Sequence, residues 1–217
     1  MPRILLVCTT ALTLGLASCH RSKPTVEPGG SAPLEQRPFA AFVALRIVVT
    51  PTGYVRGGDT LGWVQGMGGQ RAVARQLDSA IAVALDRRGL AARWIMPAGL
   101  VRTFERNRSY ATDPYLLALD PLRAPKFESA GRFGEPLSSQ LRTMVALEAD
   151  ARYVLMPIEL RFEREGALMR GVLRTVFADP RAAEARWVGD VRGDAVAAAP
   201  AALASVAQRV ADLFIAP

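Results

Sequence analysis

Residues 153–160 read Tyr153-Val154-Leu155-Met156-Pro157-Ile158-Glu159-Leu160, and only Glu159 among them is charged. A half-exposed strand alternates apolar with polar side chains, whereas so continuous an apolar run belongs to a central strand covered on both faces. The sequence on either side agrees. Downstream, residues 168–178 and 185–192 are strand-like and flank the turn pair Asp179-Pro180, which predicts a hairpin. After it Pro200 opens a helix with Leu203, Val206, Val210 and Leu213 along one face. Upstream, residues 138–149 form a helix that turns Leu141, Val145 and Leu147 inward.

Further upstream, Val43, Leu45, Ile47 and Val49 alternate with Ala44, Arg46, Val48 and Thr50, predicting a strand over 43–50 that ends at Pro51. A glycine-rich loop follows, and residues 61–64 within it are expected to add a short strand. Residues 70–88 carry the clearest helical period. Val73, Leu77, Ile81, Ala84 and Leu85 form its apolar stripe, Arg71, Arg75, Asp78 and Asp86 lie off it, and Gly89 stops it. Residues 91–96 read as a strand closed by Pro97. The segment 98–136 is the least regular, with helical turns expected near 100–108 and 114–119. This order predicts an α/β (α+β) sandwich: one domain with a mixed sheet of about five strands and helices packed on it.

Half of the 217 residues are hydrophobic and 22% are charged, which excludes a disordered or fibrous chain. Lysine and arginine total 27 against 20 acidic residues, for a net charge of +7. Only Lys23 and Lys126 are lysine. Abundant arginine with abundant alanine fits codon bias as well as selection for a charged ligand.

The N-terminus carries an address. Arg3 precedes an apolar run over 4–17, too short to span a bilayer but suited to a secretory signal. It ends in Leu16-Ala17-Ser18-Cys19, which resembles the lipobox of bacterial lipoproteins: small residues beside the cleaved bond, then the cysteine that takes the lipid. Residues 1–18 are therefore read as a lipoprotein signal peptide and Cys19 as the lipidated mature N-terminus. Several acyl chains anchor firmly, at about 0.8 kcal/mol per buried methylene. His20 rather than aspartate at the next position resembles outer-membrane sorting. Residues 19–38 hold four prolines and few apolar residues, so this segment is expected to be a disordered tether. It reaches at most roughly 60 Å at about 3.1 Å per residue. The globular domain then occupies 39–217. No cysteine follows Cys19, so the domain has no disulfide to staple it.

Several packing motifs resemble a family of periplasmic domains shared by the TolB N-terminal domain, the activator lipoprotein LpoB and the curli secretion protein CsgG. They are Val49-Thr50-Pro51 at a strand end, and Arg88-Gly89-Leu90 after a helix. Ala149-Asp150-Ala151-Arg152-Tyr153-Val154-Leu155 leads into a strand, and Arg186-Trp187-Val188-Gly189 returns from the hairpin. The last helix begins after Ala-Pro and carries a Leu-x-x-Val-Ala pattern. The resemblance implies a lipid-anchored periplasmic domain that works by binding other envelope proteins. The chain departs from CsgG-like pores, because no pair of alternating ten-residue segments supplies membrane-crossing hairpins.

The residues offer little to an enzyme. Histidine as a base for a nucleophilic triad is present only as His20, beside the anchor. Zinc ligands at fixed spacing are missing, so neither metal nor cofactor is expected. Gly66-Met67-Gly68-Gly69 precedes a helix without the Gly-Lys-Ser/Thr of a phosphate loop, and turn glycines explain it better than an anion site. Glu159, Glu163, Glu165, Asp190 and Asp194 are the remaining route to acid–base work. Neighbouring Arg161, Arg164 and Arg192 favour solvated ion pairs instead. The most suggestive surface patch is Arg102, Phe104, Arg106, Arg108 and Tyr110, whose arginines four apart share a helical face. It is expected either to contact an acidic partner loop or to be a solvated face with Phe104 turned inward. The expectation is a non-catalytic, lipid-anchored protein-interaction domain of the outer membrane, with no nucleic acid partner; the alternative is a lipoprotein binding an anionic glycan or small molecule.

Overall fold

The structure, a computed structural model, describes residues 37–149 and 151–216. Within them lie β1 (Ile47–Val49), β2 (Tyr54–Val55), β3 (Tyr153–Glu165), β4 (Leu168–Asp179) and β5 (Glu184–Val196). The helices are α1 (Trp63–Gly66), α2 (Gln70–Arg87), α3 (Pro97–Arg106), α4 (Asp120–Arg123), α5 (Leu137–Leu147) and α6 (Ala199–Asp212). The sheet runs β1-β3-β4-β5, with β2 following β1 along the same edge of β3. Both short strands pair with β3 in parallel, while β3, β4 and β5 form an antiparallel meander. The sheet is therefore mixed, with helices on both faces.

β3 is central because nothing in its first half tolerates water: Val154, Leu155, Met156, Ile158 and Leu160 are fully buried. On one face α2 and α6 bring Val73, Leu77, Ile81, Leu203, Val206 and Val210 against Leu155, Leu173 and Phe177. Phe39 joins this layer, 4.6 Å from Phe177 and 4.8 Å from Phe214 between ring centroids. On the other face α3, α4 and α5 bring Leu100, Leu122, Leu141 and Met144 against Val154, Met156, Ile158 and Val176. Burial of this kind contributes about 1.5–3 kcal/mol per large side chain.

Two local features shape the surface of this sandwich. Pro157 sits opposite Thr175 and Glu159 opposite Arg174, so Ile158 is a surplus residue that makes a β-bulge. Leu155 faces the α2–α6 layer and Ile158 the other; past the bulge Leu160 faces α2–α6 again. The bulge thereby sends Glu159 to the side of α4. Secondly, α6 lies close on the sheet at Gly171. A Cβ there would stand 2.7 Å from Val206 Cγ2 and 3.4 Å from the Ala202 carbonyl oxygen.

Several expectations are corrected. The strand over 43–50 shrinks to β1, because residues 40–45 coil into turns that carry Phe42 onto Tyr153. All three β1 residues are buried, so Val48 faces a second core and the apparent alternation has no solvent side. Residues 61–64 lead into α1 rather than a strand; Asp59 caps it, accepting from the Trp63 and Val64 amides. Residues 91–96 are turns, apart from one parallel bridge between Ile95 and Val48. In the segment 98–136 the helical turns expected near 100–108 and 114–119 are present, as α3 and a 3-10 turn over Pro114–Leu116, and α4 is added to them. The signal peptide at 1–18, Cys19, and the tether as far as residue 36 lie outside the described residues, as does Asp150.

Candidate functional site

A cleft of about 650 Å³ opens at the free edge of β2, between the two helical layers. Residues 52–57 line it together with Gln70, Arg71, Ala74 and Arg75 of α2, Tyr115, Leu116 and Arg123. Its volume lies in the range of ligand sites, about 300–1,000 Å³. Local chemistry fixes each wall. The Thr52 amide and hydroxyl donate to Asp78 Oδ1 at 2.8 and 2.6 Å, tying the strand link to α2. The Asp113 carboxylate accepts from the Tyr115 amide at 2.9 Å and shapes the turn that presents Tyr115 and Leu116. Arg174 donates to the carbonyl oxygens of Leu122, Ala124 and Phe127, holding the segment after α4 against the sheet.

Four arginines reach the cleft, and they divide into two pairs. Arg56 Nε donates to one oxygen of Glu159 at 2.6 Å, and Arg123 Nε to the other at 2.8 Å. Glu159 is 4% exposed. Burial pushes its pKa up, but the hydrogen bond from Arg123 and the charge of Arg56 outweigh burial and hold it below the usual glutamate value. It is thus a fixed anion rather than an acid with a proton to give. Arg123 also stacks 4.1 Å from the Tyr54 ring, whose hydroxyl donates to Asp120 at 2.9 Å. Arg71 and Arg75 are exposed and form no ion pair with the described residues. Four apart on α2, they share one face. Both line the concavity, where the charges of Arg75, Asp78 and Asp113 all act on Tyr115.

Asp78 lies beneath this wall. It is 9% exposed, and its Oδ2 has no hydrogen-bond partner. Burial raises its pKa above the ordinary aspartate value, against the lowering effect of Thr52.

The patch expected over 102–110 has a different character. Arg102 and Arg106 are exposed together on α3, and Arg106 donates to Thr103 Oγ1 at 3.3 Å. Thr103 in turn donates to buried Glu148 at 2.6 Å. Phe104 is partly buried; Arg108, beyond the helix end, lies 5.9 Å from its ring. Tyr110 is 61% exposed and donates to Asn107 Oδ1. Of the five, only Phe104 lines a hollow, and that hollow holds about 10 Å³, room for about one water. Arg102, Arg106, Arg108 and Tyr110 do not line that hollow.

The expected ion pairs are present for Glu163 and Asp190, while Asp194 pairs with Arg209 of α6 instead and Arg164 donates to the Gly166 carbonyl. Arg161 bonds Glu163 at 2.9 Å and Asp190 at 2.7 Å, Arg192 bonds Glu163 at 2.7 Å, and Arg209 bonds Asp194 at 2.9 Å. Glu159 departs from that expectation, being buried and held by residues far away in sequence. In the glycine loop the amides of Gly68 and Gly69 are taken by the Gln65 and Val64 carbonyls, as a turn requires. Among the described residues no cluster of ligands could hold a metal ion, and no helix is long and apolar enough to cross a membrane. Compared with known proteins, the chain matches no protein-family model, no curated protein and no solved structure.

Proposed function

We propose that this chain is a lipoprotein held to the outer membrane through Cys19, and that its domain binds an acidic region of another envelope protein without catalysing a reaction. The binding part rests on one observation: Arg71 and Arg75, neither in an ion pair with a described carboxylate, stand on the wall of a cleft too large for a simple ion. The anchoring part rests on the leader and Leu16-Ala17-Ser18-Cys19. Docking of this kind is also what the resemblance to the TolB, LpoB and CsgG domains implies. A lipid confines the search for a partner to one surface, so effective concentration supplies much of the affinity.

The test is in-cell photo-crosslinking from a benzophenone side chain placed at Leu116, which is 71% exposed on the cleft rim, with Val83 on the outer face of α2 as control. The expected result is an adduct with a single envelope protein from Leu116 only, in the membrane fraction. It is lost on Arg71→Glu/Arg75→Glu, and Cys19→Ala releases the chain from that fraction. Equal adducts from both positions, indifference to charge reversal, or a cytosolic chain with its leader attached would overturn the reading.

A further inference from the structure

We propose that the partner's segment is an extended peptide that adds as a strand to the open edge of β2, with acidic side chains at every second position. This rests on the acidic-partner reading above and names the form in which that partner binds. The outer edge of β1 is already occupied: Ile95 donates its amide to Ile47 and accepts from Val49, at 2.9 and 2.8 Å. Along β2 no described strand takes that place. Arg56 gives its amide to the Leu160 carbonyl at 2.8 Å, so the amide of the preceding Val55 is turned to the opposite, open side. Backbone groups along such an edge are a template for another strand.

The walls of the cleft select the side chains. An added strand directs alternate residues toward the two layers. Residues pointing to α2 meet Arg71 and Arg75; those pointing the other way meet Tyr115 and Leu116, which are 52% and 71% exposed. The two arginines are spaced as i,i+4 on a helix, about 5–6 Å apart. Side chains at i and i+2 of a strand are about 6.6 Å apart. One carboxylate per arginine therefore fits an acidic–apolar–acidic pattern. A glycan has the charge but neither the amide ladder nor the two-residue alternation.

The test uses the full chain purified in detergent, with binding read by fluorescence anisotropy. The probes are a capped hexapeptide alternating glutamate and valine, a block peptide of three glutamates followed by three valines, and an anionic hyaluronate oligosaccharide. The alternating peptide is expected to bind at least tenfold more tightly than the block peptide. N-methylation of its odd or its even residues, but not both, should abolish binding. Val55→Pro, which removes the outward amide and spares the Arg56 bond, should weaken binding tenfold; the N-methyl series gives the same information without altering the protein. Equal binding of both peptides, or tolerance of both N-methyl series, would overturn strand addition while leaving a charge-dependent cleft in place. Preference for the oligosaccharide would overturn the peptide. If no anionic probe responds to Arg71→Glu/Arg75→Glu, the acidic-partner reading falls as well.

Discussion

Replacing Glu159 by glutamine probes both the framework of the cleft and its charge balance. Two guanidinium nitrogens donate to its two oxygens, at 2.6 and 2.8 Å. Hydrogen bonds to a charged group contribute about 1.5–3 kcal/mol each. The arginines are not enclosed, however: the side chains of Arg56 and Arg123 are 61% and 37% exposed. Water replaces part of what glutamine no longer gives them, so the loss should be about 2 kcal/mol, less than the roughly 3–5 kcal/mol of a wholly buried pair. For a domain of this size that lowers Tm by about 4–8 °C. The pH dependence has a definite sign. The folded pKa of Glu159 lies below its ordinary value. The stability it provides is complete above the unfolded pKa, about 4.3, and disappears as pH falls through the folded value. Thermal unfolding followed by circular dichroism should separate parent and variant at pH 7 and bring them together toward pH 2. A gap that stays constant over this range, or a variant as stable as the parent at pH 7, would refute the reasoning. The same substitution leaves Arg56 and Arg123 free to face the cleft, so the less stable protein should bind the glutamate–valine peptide more tightly.

Asp78→Asn should stay within about 1 kcal/mol of the parent at neutral pH, since the Thr52 hydrogen bonds can persist while a buried charge is removed. Because burial raises the folded pKa of Asp78, the parent loses stability as pH rises through that value and the variant does not. Urea midpoints at pH 4 and 7 should therefore shift in favour of asparagine, and a parallel shift would count against it. Gly171→Val should destabilise by about 1–3 kcal/mol, because the added carbons meet Val206 and the Ala202 carbonyl. An unchanged urea midpoint would mean that α6 is free to move away.

What the sequence disclosed depends on how far apart the interacting residues are. β3, α2 and α6 are legible because their patterns are continuous: an unbroken apolar run, and stripes at helical spacing that the structure buries at Val73, Leu77, Ile81, Leu203, Val206 and Val210. β1 is misjudged because a three-residue strand buried on both faces carries too little pattern to set its length. Asp78 reads as a surface residue since only Thr52, 26 positions away, reveals its burial. The cleft is barely legible: Arg56 meets Glu159 across 103 residues, and the free edge of β2 depends on where every other strand lies. One signal does point to it. A lone carboxylate inside a central apolar strand must find cationic partners, because an unpaired buried charge is far too unfavourable. The patch over 102–110 stands out by its helical spacing, which says nothing of concavity.

The bulge at Ile158 has a wider consequence. Side chains along a strand obey parity, and one surplus residue switches odd for even from that point on. Deleting Ile158 would remove the surplus and leave Glu159 and Leu160 on their present faces, still opposite Arg174 and Leu173, whereas deleting a paired residue beyond it, such as Arg161, would rotate the rest of β3 by half a turn and carry Phe162 away from Trp63. A single-codon deletion, harmless in many loops and tolerable at the bulge, would at a paired position exchange the oily and wet sides of the ribbon beyond it. What this chain must pass on intact is the phase of that strand as much as its composition.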